Sequence, residues 1–303
     1  MKATDQAVRK EFRRHRRRNL FPYLLNIPML LYMCCVLLYA LIWGIYLSFT
    51  DKRIGAEATW IGVDNYIKLL QSPQYLNSIT VTLKFTVCAI AGKLTFGTIM
   101  ALTLNKEFKG KNLVRALLLL PWTIPMIVVA LNWRWIFAGA GGVLNYMLRT
   151  TGLIERNLNW LGVPALAFLC ILISDIWRGT PFFGNSILAR LQTIPKVYYE
   201  ASRIDGANAF QQFIYITLPN IKNTLLVTTL VSTIWTLNAF GFIWNLTAGG
   251  PNHTTELMSV FSYLTAMSNR MLGRGLAVSI MAMPVLMILI EIISRHNLKA
   301  LDE

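Results

Sequence analysis

PYLLNIPMLLYMCCVLLYALIWGIYLSF, residues 22–49, is an apolar run of 28 residues, longer than the ~20 helical residues that cross bilayer hydrocarbon. At ~1.5 Å per residue it reaches ~42 Å as a helix, so it must tilt, kink or project into the interfaces. Five further runs follow, at 77–104, 113–137, 163–192, 218–246 and 275–294, and the six together hold over half of the 303 residues. No alternating pattern of a barrel is present, so the spans are read as helices, which satisfy every backbone polar group in lipid. Composition agrees: 55% of residues are hydrophobic and 14% charged, with a mean hydropathy of +0.49. A soluble domain carries about 25% charge. The expected class is an all-α polytopic membrane protein of about six spans.

The charge that remains is lopsided, with 29 Lys and Arg against 14 Asp and Glu. On a soluble protein a net charge of +15 would suggest nucleic acid. Here the positions decide. Residues 1–20 carry eight basic residues, and the second-to-third connection adds Lys106, Lys109, Lys111 and Arg115. Arg190, Lys196, Arg203 and Lys222 lie around the fourth-to-fifth connection, and Arg295 and Lys299 near the C-terminus. That side holds 18 of the 29; the other holds seven, namely Lys52, Arg53, Lys68, Arg149, Arg156, Arg270 and Arg274. Lys84, Lys93, Arg134 and Arg178 fall inside predicted spans. The positive-inside rule then places both termini in the cytoplasm, and no nucleic-acid partner is implied. The basic flank of the first run suits a signal peptide. Its length is about twice the usual and it lacks a small-residue cleavage site, so an uncleaved span is expected. The expected organisation is a basic tail over 1–21, a membrane domain over 22–294 and a short tail over 295–303. The N-terminal basic run can also lie against anionic headgroups.

Chemistry-bearing clusters are scarce. Cys34, Cys35, Cys88 and Cys170 all lie in apolar runs with neither CxxC spacing nor a nearby histidine, which supports no disulfide framework or metal site. His15, His253 and His296 belong to three separate regions and accompany no nucleophile motif, so no enzyme is read here. No GxxxxGK followed by Ser or Thr is present, hence no phosphate loop. Asp175 is the acid well inside a span, with Glu291 near an end. Ion-coupled carriers depend on intramembrane carboxylates or histidines and often on internal repeats, which makes a secondary carrier the weaker alternative. Pro121, Pro125, the Gly179-Thr180-Pro181 step and Pro284 fit either ordinary transmembrane kinks or broken helices that line a path.

The most informative connection is IPKVYYEASRIDGANAFQQF, residues 194–213. Pro195 suits a first helical turn. Ala201, Ile204, Ala207 and Phe210 recur every third residue as an apolar stripe, with Glu200, Arg203 and Asp205 off it. Gly206 offers a sharp bend, Asn208 and Gln211 resemble a capping box, and Pro219 is expected to start the fifth span. The pattern describes two short helices along the membrane surface, either as an interfacial amphipathic element or as a docking knob for a cytoplasmic partner.

Glu200-Ala201-Ser202, Asp205-Gly206-Ala207 and Ile216-Thr217-Leu218-Pro219 resemble the EAA loop of ABC importer permeases, with Ser202 in place of the third alanine. Leu191–Pro195, Ile176–Phe182, Gly62–Tyr66, Pro121–Pro125 and Leu246–Pro251 are similar to the carbohydrate branch of that family. The resemblance covers about residues 20–298. It implies a type I (MetI-like) importer permease fold in a bacterial or archaeal cytoplasmic membrane. It also implies work as a pair with a second, homologous permease, two separate ATPase subunits that carry ATP and Mg, and an extracytoplasmic solute-binding protein. The chain itself would bind no cofactor and catalyse no reaction. Glu200, Ala201, Ser202, Arg203, Asp205, Gly206, Ala207, Leu218 and Pro219 would then couple to the ATPase. By resemblance to maltose-type permeases, Arg178, Gly179 and Phe182, at a Gly-Thr-Pro break, would meet the sugar together with Ser232, Trp235, Thr236 and Asn238. Phe182 and Trp235 are equally readable as packing residues. Arg178 would face the aqueous cavity or pair with Asp175. Arg134, between Trp133 and Trp135, reads as structural.

Overall fold

The computed structural model describes residues 22–299; the expected N-terminal tail and residues 300–303 lie outside it. The described residues form no strand ladder, only a single bridge between Thr50 and Trp60. The long helices are α1 (Pro22–Ser48), α3 (Pro73–Asn105), α7 (Pro164–Leu191), α9 (Ala209–Leu237) and α12 (Leu272–Lys299). Between them lie α2 (Asp64–Leu70), α4 (Lys111–Thr123), α5 (Met126–Ile136), α6 (Val143–Thr150), α8 (Lys196–Ile204), α10 (Phe240–Leu246) and α11 (Met258–Tyr263). Each of the six apolar runs is thus helical, but two are not single helices. The chain turns by 95° between α4 and α5 and by 50° between α9 and α10.

Local chemistry explains where the breaks fall. Pro125 has no N–H to donate and forces Ile124 out of the helical region, to φ −74°, ψ 134°. Pro121, Pro181 and Pro284 sit inside helices that continue through them. The Gly179-Thr180-Pro181 step is therefore not a break; of the two readings the sequence leaves open, the helix that continues through its proline holds here. Thr180 Oγ1 donates to the Ile176 carbonyl at 2.7 Å. The same i−4 bonding hides the hydroxyls of Thr82, Thr95, Thr98 and Thr103 along α3, which lets a Thr-rich helix sit among apolar neighbours.

The centre of the fold is the α3–α7 pair, the most extensive helix contact in the molecule. Small residues permit it: a Cβ on Gly97 would run into Phe183, and one on Gly184 would lie 2.6 Å from Met100 Sδ. Van der Waals fit and small residues, not the hydrophobic effect, drive such contacts in lipid. Gly97→Ala is expected to overpack this seam and lower stability by about 1–3 kcal/mol, read as a lower Tm of the purified protein. An unchanged Tm would show that the helices have slack there.

Two apolar clusters lie along this pair. One gathers Phe85, Val129, Ile171, Phe242, Ile243 and Val260; the other gathers Met100, Leu104, Phe183, Ile187, Leu191 and Ile221. Lys93 on α3 and Asp175 to Phe182 on α7 fall between the two, and there the helices leave a space.

Candidate functional site

That space is a cavity of about 400 Å³. α7 contributes Asp175, Arg178, Gly179 and Phe182; α9 and its C-terminal turn contribute Ser232, Trp235, Thr236, Asn238 and Ala239. Lys93 of α3, Trp122 of α4 and Met126 of α5 complete the wall. The seven residues singled out in the sequence for a substrate path therefore line one cavity. The 95° turn between α4 and α5 is what brings Trp122 and Met126 to it.

The polar chemistry differs from the sequence expectation in one respect. Asp175 does not pair with Arg178. Its carboxylate lies 2.5 Å from Lys93 Nζ, with both side chains only 5% exposed. Lys93 Nζ also donates to Thr236 Oγ1 at 3.0 Å, and Thr236 Oγ1 donates to the Ser232 carbonyl at 2.8 Å. A buried polar strut thus joins α3, α7 and α9. Gly179 makes room for it, since a Cβ there would stand 2.6 Å from Lys93 Cε. The strut neutralises the carboxylate of Asp175 and leaves Arg178 as the second cation of the wall, its Nε buried without a hydrogen-bond partner.

The cavity wall also carries an aromatic surface. Phe182 stacks on Trp122 at 6.1 Å between ring centroids and meets Trp235 at 4.9 Å. Trp235 is half exposed, whereas Ser232 and Thr236 are buried. Rings beside hydroxyl, amide and guanidinium groups suit a ligand with both C–H faces and many hydroxyls. Arg134 lies on α5 outside the cavity lining, with Nη1 3.5 Å from the Asn245 carbonyl of α10.

The loop after α7 forms the second candidate. α8 begins at Lys196, directly after Pro195, and ends at Ile204; Asp205 caps it before Gly206 at φ +80°, where glycine avoids the Cβ clash of a left-handed turn. Asn208 and Gln211 make the full capping box. Beyond it the expected second short helix is the start of α9 itself. A π turn at Phe213–Thr217 carries the helix into Pro219, so Pro219 does not start the fifth helix. Leu218 N bonds Phe213 O across five residues, which accommodates the donor that proline lacks.

The loop is tied down on one side and open on the other. Tyr199 Oη lies 3.0 Å from Thr217 Oγ1, and Gln212 Nε2 donates to Ser202 Oγ at 2.9 Å. Ser202 thus makes a hydrogen bond that the alanine of the pattern could not. Three of the four residues of the predicted stripe face away from the protein: Ile204 is 88% and Phe210 74% exposed, and Ala201 is exposed beside them, whereas Ala207 is half-buried. Glu200, Arg203 and Asp205 are also exposed and form no ion pair among the described residues.

Residues 93–301 match the family described as binding-protein-dependent transport system inner membrane component, a span of well over half the chain. The chain belongs to that family. The permease is therefore a multi-pass inner-membrane transport subunit and not an enzyme. It is 34% identical over 242 residues to the trehalose/maltose transport system permease protein MalF of Thermococcus litoralis, covering 80% of this chain and 81% of that one. It is 31% identical to the sulfoquinovosyl glycerol transport system permease protein SmoG of Agrobacterium fabrum, with 86% and 85% covered. The permease also superposes on a chain of a bacterial ABC transporter involved in import of the acidic polysaccharide alginate. The TM-score is 0.82 at 23% identity, with 95% of this chain and 99% of that one covered, which establishes a shared type I permease fold.

Sequence reasoning missed Lys93, Trp122 and Met126 in the cavity, and Tyr199, Gln212 and Thr217 in the loop. Lys93 had a signal: a lysine within an apolar run needs an anion, and Asp175 is the acid deep in another run. Nothing in the sequence says whether Lys93 or Arg178 takes it.

Proposed function

We propose that the permease forms half of a sugar or oligosaccharide translocation path and is driven by ATP hydrolysis on separate subunits. The observation that carries the reading is the convergence of Arg178, Gly179, Phe182, Ser232, Trp235, Thr236 and Asn238 on one cavity with an aromatic wall. The named transport systems of its relatives, trehalose/maltose and sulfoquinovosyl glycerol, support the substrate class. Trp235 and Phe182 would stack on the sugar, and Arg178, Ser232 and Asn238 would meet its hydroxyls. Thr236 and Gly179 serve the Lys93 strut and shape the wall.

The 195–219 segment is the coupling element. Its stripe of Ala201, Ile204, Ala207 and Phe210 would seat in a cleft of an ATPase subunit, with Glu200, Arg203 and Asp205 making polar contacts around it. Ser202 and Gly206 hold the bend, and Leu218 and Pro219 join it to α9. Exposure of this apolar stripe supports docking, since a solvated loop gains nothing from Ile204 in water. A second homologous permease, two ATPases holding ATP and Mg, and an extracytoplasmic solute-binding protein complete the assembly. Both termini lie in the cytoplasm. An alginate importer of the same fold is known in complex with a pentasaccharide-bound periplasmic protein, which supports the last partner. An ion-coupled carrier is the poorer reading, because the carboxylate of the cavity wall, Asp175, is already held by Lys93.

The test is purification from the native membrane. ATPase subunits should accompany the chain, and transport should require both ATP and a loaded binding protein; their absence defeats the proposal. Within that assembly Trp235→Ala should lower sugar transport about tenfold, the worth of one stacked ring, while the complex stays intact. Transport at the normal rate would remove the cavity from the path.

A further inference from the structure

Cations gather at the end of α1 that basic-residue counting assigns to the outside, where the positive-inside rule makes them unexpected. Of the seven basic residues on that side, Lys52, Arg53 and Lys68 come from the α1–α2 region, while Arg270 and Arg274 come from the start of α12, over 200 residues later. The backbone brings the two segments together: Ile54 N donates to the Arg270 carbonyl at 3.0 Å and Gly273 N to the Lys52 carbonyl at 2.9 Å. Arg270 itself takes φ +60° at this turn. Between the segments lies a recess of about 300 Å³, lined by Asp51, Lys52, Arg53, Asp64, Lys68 and Arg274 among others.

Its two carboxylates are already engaged. Asp64 pairs with Lys68 at 2.5 Å. Asp51 Oδ1 accepts the Thr59 N–H at 2.8 Å, and this hydrogen bond is the main reason its pKa is lowered, with Arg53 adding to the effect. Lys52 Nζ is spent on the Ala56 carbonyl at 2.6 Å. Arg53 makes no side-chain hydrogen bond among the described residues, and Arg274 Nε is buried without a hydrogen-bond partner. The recess is thus short of an anion and offers two forks of the geometry that phosphate accepts.

Its height in the membrane indicates which anion. Six rings run in contact beside it: Tyr39, Trp43, Tyr46, Trp60, Phe49 and Tyr66, with neighbouring centroids 5.1 to 6.4 Å apart. Tyr39, Trp43, Tyr46 and Trp60 are exposed. Of the six, Trp43, Tyr46, Trp60 and Tyr66 are amphipathic rings near the end of α1, and such rings mark the headgroup level of a bilayer. Below them α1 is exposed along nearly its whole length, a surface for acyl chains.

We propose that this recess binds the phosphate of an anionic phospholipid in the outer leaflet, with Arg53 and Arg274 on the phosphate and the acyl chains along α1. The proposal rests on the chain spanning a membrane with the end of α1 outside, the orientation proposed above, but not on the sugar or the coupling loop. The test uses the importer purified with its partner subunits, delipidated and titrated with phosphatidylglycerol or with phosphatidylcholine of the same chains, and read by native mass spectrometry. Wild type should prefer phosphatidylglycerol, and Arg53→Gln with Arg274→Gln should lower that affinity about 30-fold. Arg53→Gln alone, at an exposed side chain, should lower it about fivefold and covers the case where the double variant fails to assemble. Equal binding of the two lipids, or unchanged preference in either variant that assembles, overturns the proposal. Inorganic phosphate that binds alone and displaces the lipid would make it a soluble-anion site. A variant that keeps its lipid preference but loses stimulation by the binding protein would make it a protein-docking surface.

Discussion

Asp175→Ala should cost about 3–5 kcal/mol, enough to take most of the protein out of its folded form, because it leaves Lys93 charged and buried without a counter-ion. The two side chains are 5% exposed and 2.5 Å apart, at the cavity wall between α3 and α7. The measurement is the yield of folded protein from membranes and its Tm in detergent. The control is Lys93→Met with Asp175→Leu, which removes both charges at similar volume and should restore most of the yield. If Asp175→Ala folds normally, Lys93 has found water or another anion and the strut is not structural. Substrate transport by the restored double variant then separates architecture from transport, since the rings that would hold the sugar remain.

Gly206→Val should reduce transport by about a hundredfold while leaving insertion unchanged. A β-branched residue at φ +80° carries a local cost of roughly 1–2 kcal/mol, which the loop relieves by giving up its left-handed turn. Ile204 and Phe210 then no longer share one exposed face. The expected signature is ATP hydrolysis that persists but no longer responds to a loaded binding protein. Gly206→Asn, which tolerates the left-handed region, should keep a substantial share of transport. Equal rates for valine, asparagine and glycine would mean that the bend is incidental to coupling.

The sequence made the membrane class readable because apolar run length is set directly by bilayer thickness, and all six runs are helical. The loop was readable because capping and left-handed turns depend on a few adjacent residues: Asn208, Gln211 and Gly206 behave as local chemistry requires. What sequence could not give was the outcome of competition at a distance. Pro121 and Pro125 look alike on paper, yet only the second turns the chain, at the extended Ile124 before it. Pro219 reads as a helix start, but a π turn upstream absorbs it. Arg178 lies three residues from Asp175 on the same helix, and Lys93 takes the carboxylate from across the seam, where Gly179 leaves the space. The Ser202 hydroxyl gained a role only when Gln212 was folded against it.

The continuity of α9 carries a mechanical consequence. Above its π turn, Leu218–Leu237 is an uninterrupted rod of 20 residues that ends at the cavity beside Trp235 and begins against the bent loop. Such a rod is ~30 Å long, so a tilt of ~10° about its base sweeps its far end through ~5 Å. That is comparable to the width of a sugar ring. If the loop turns the base of this rod, as proposed, the aromatic wall moves further than the base does.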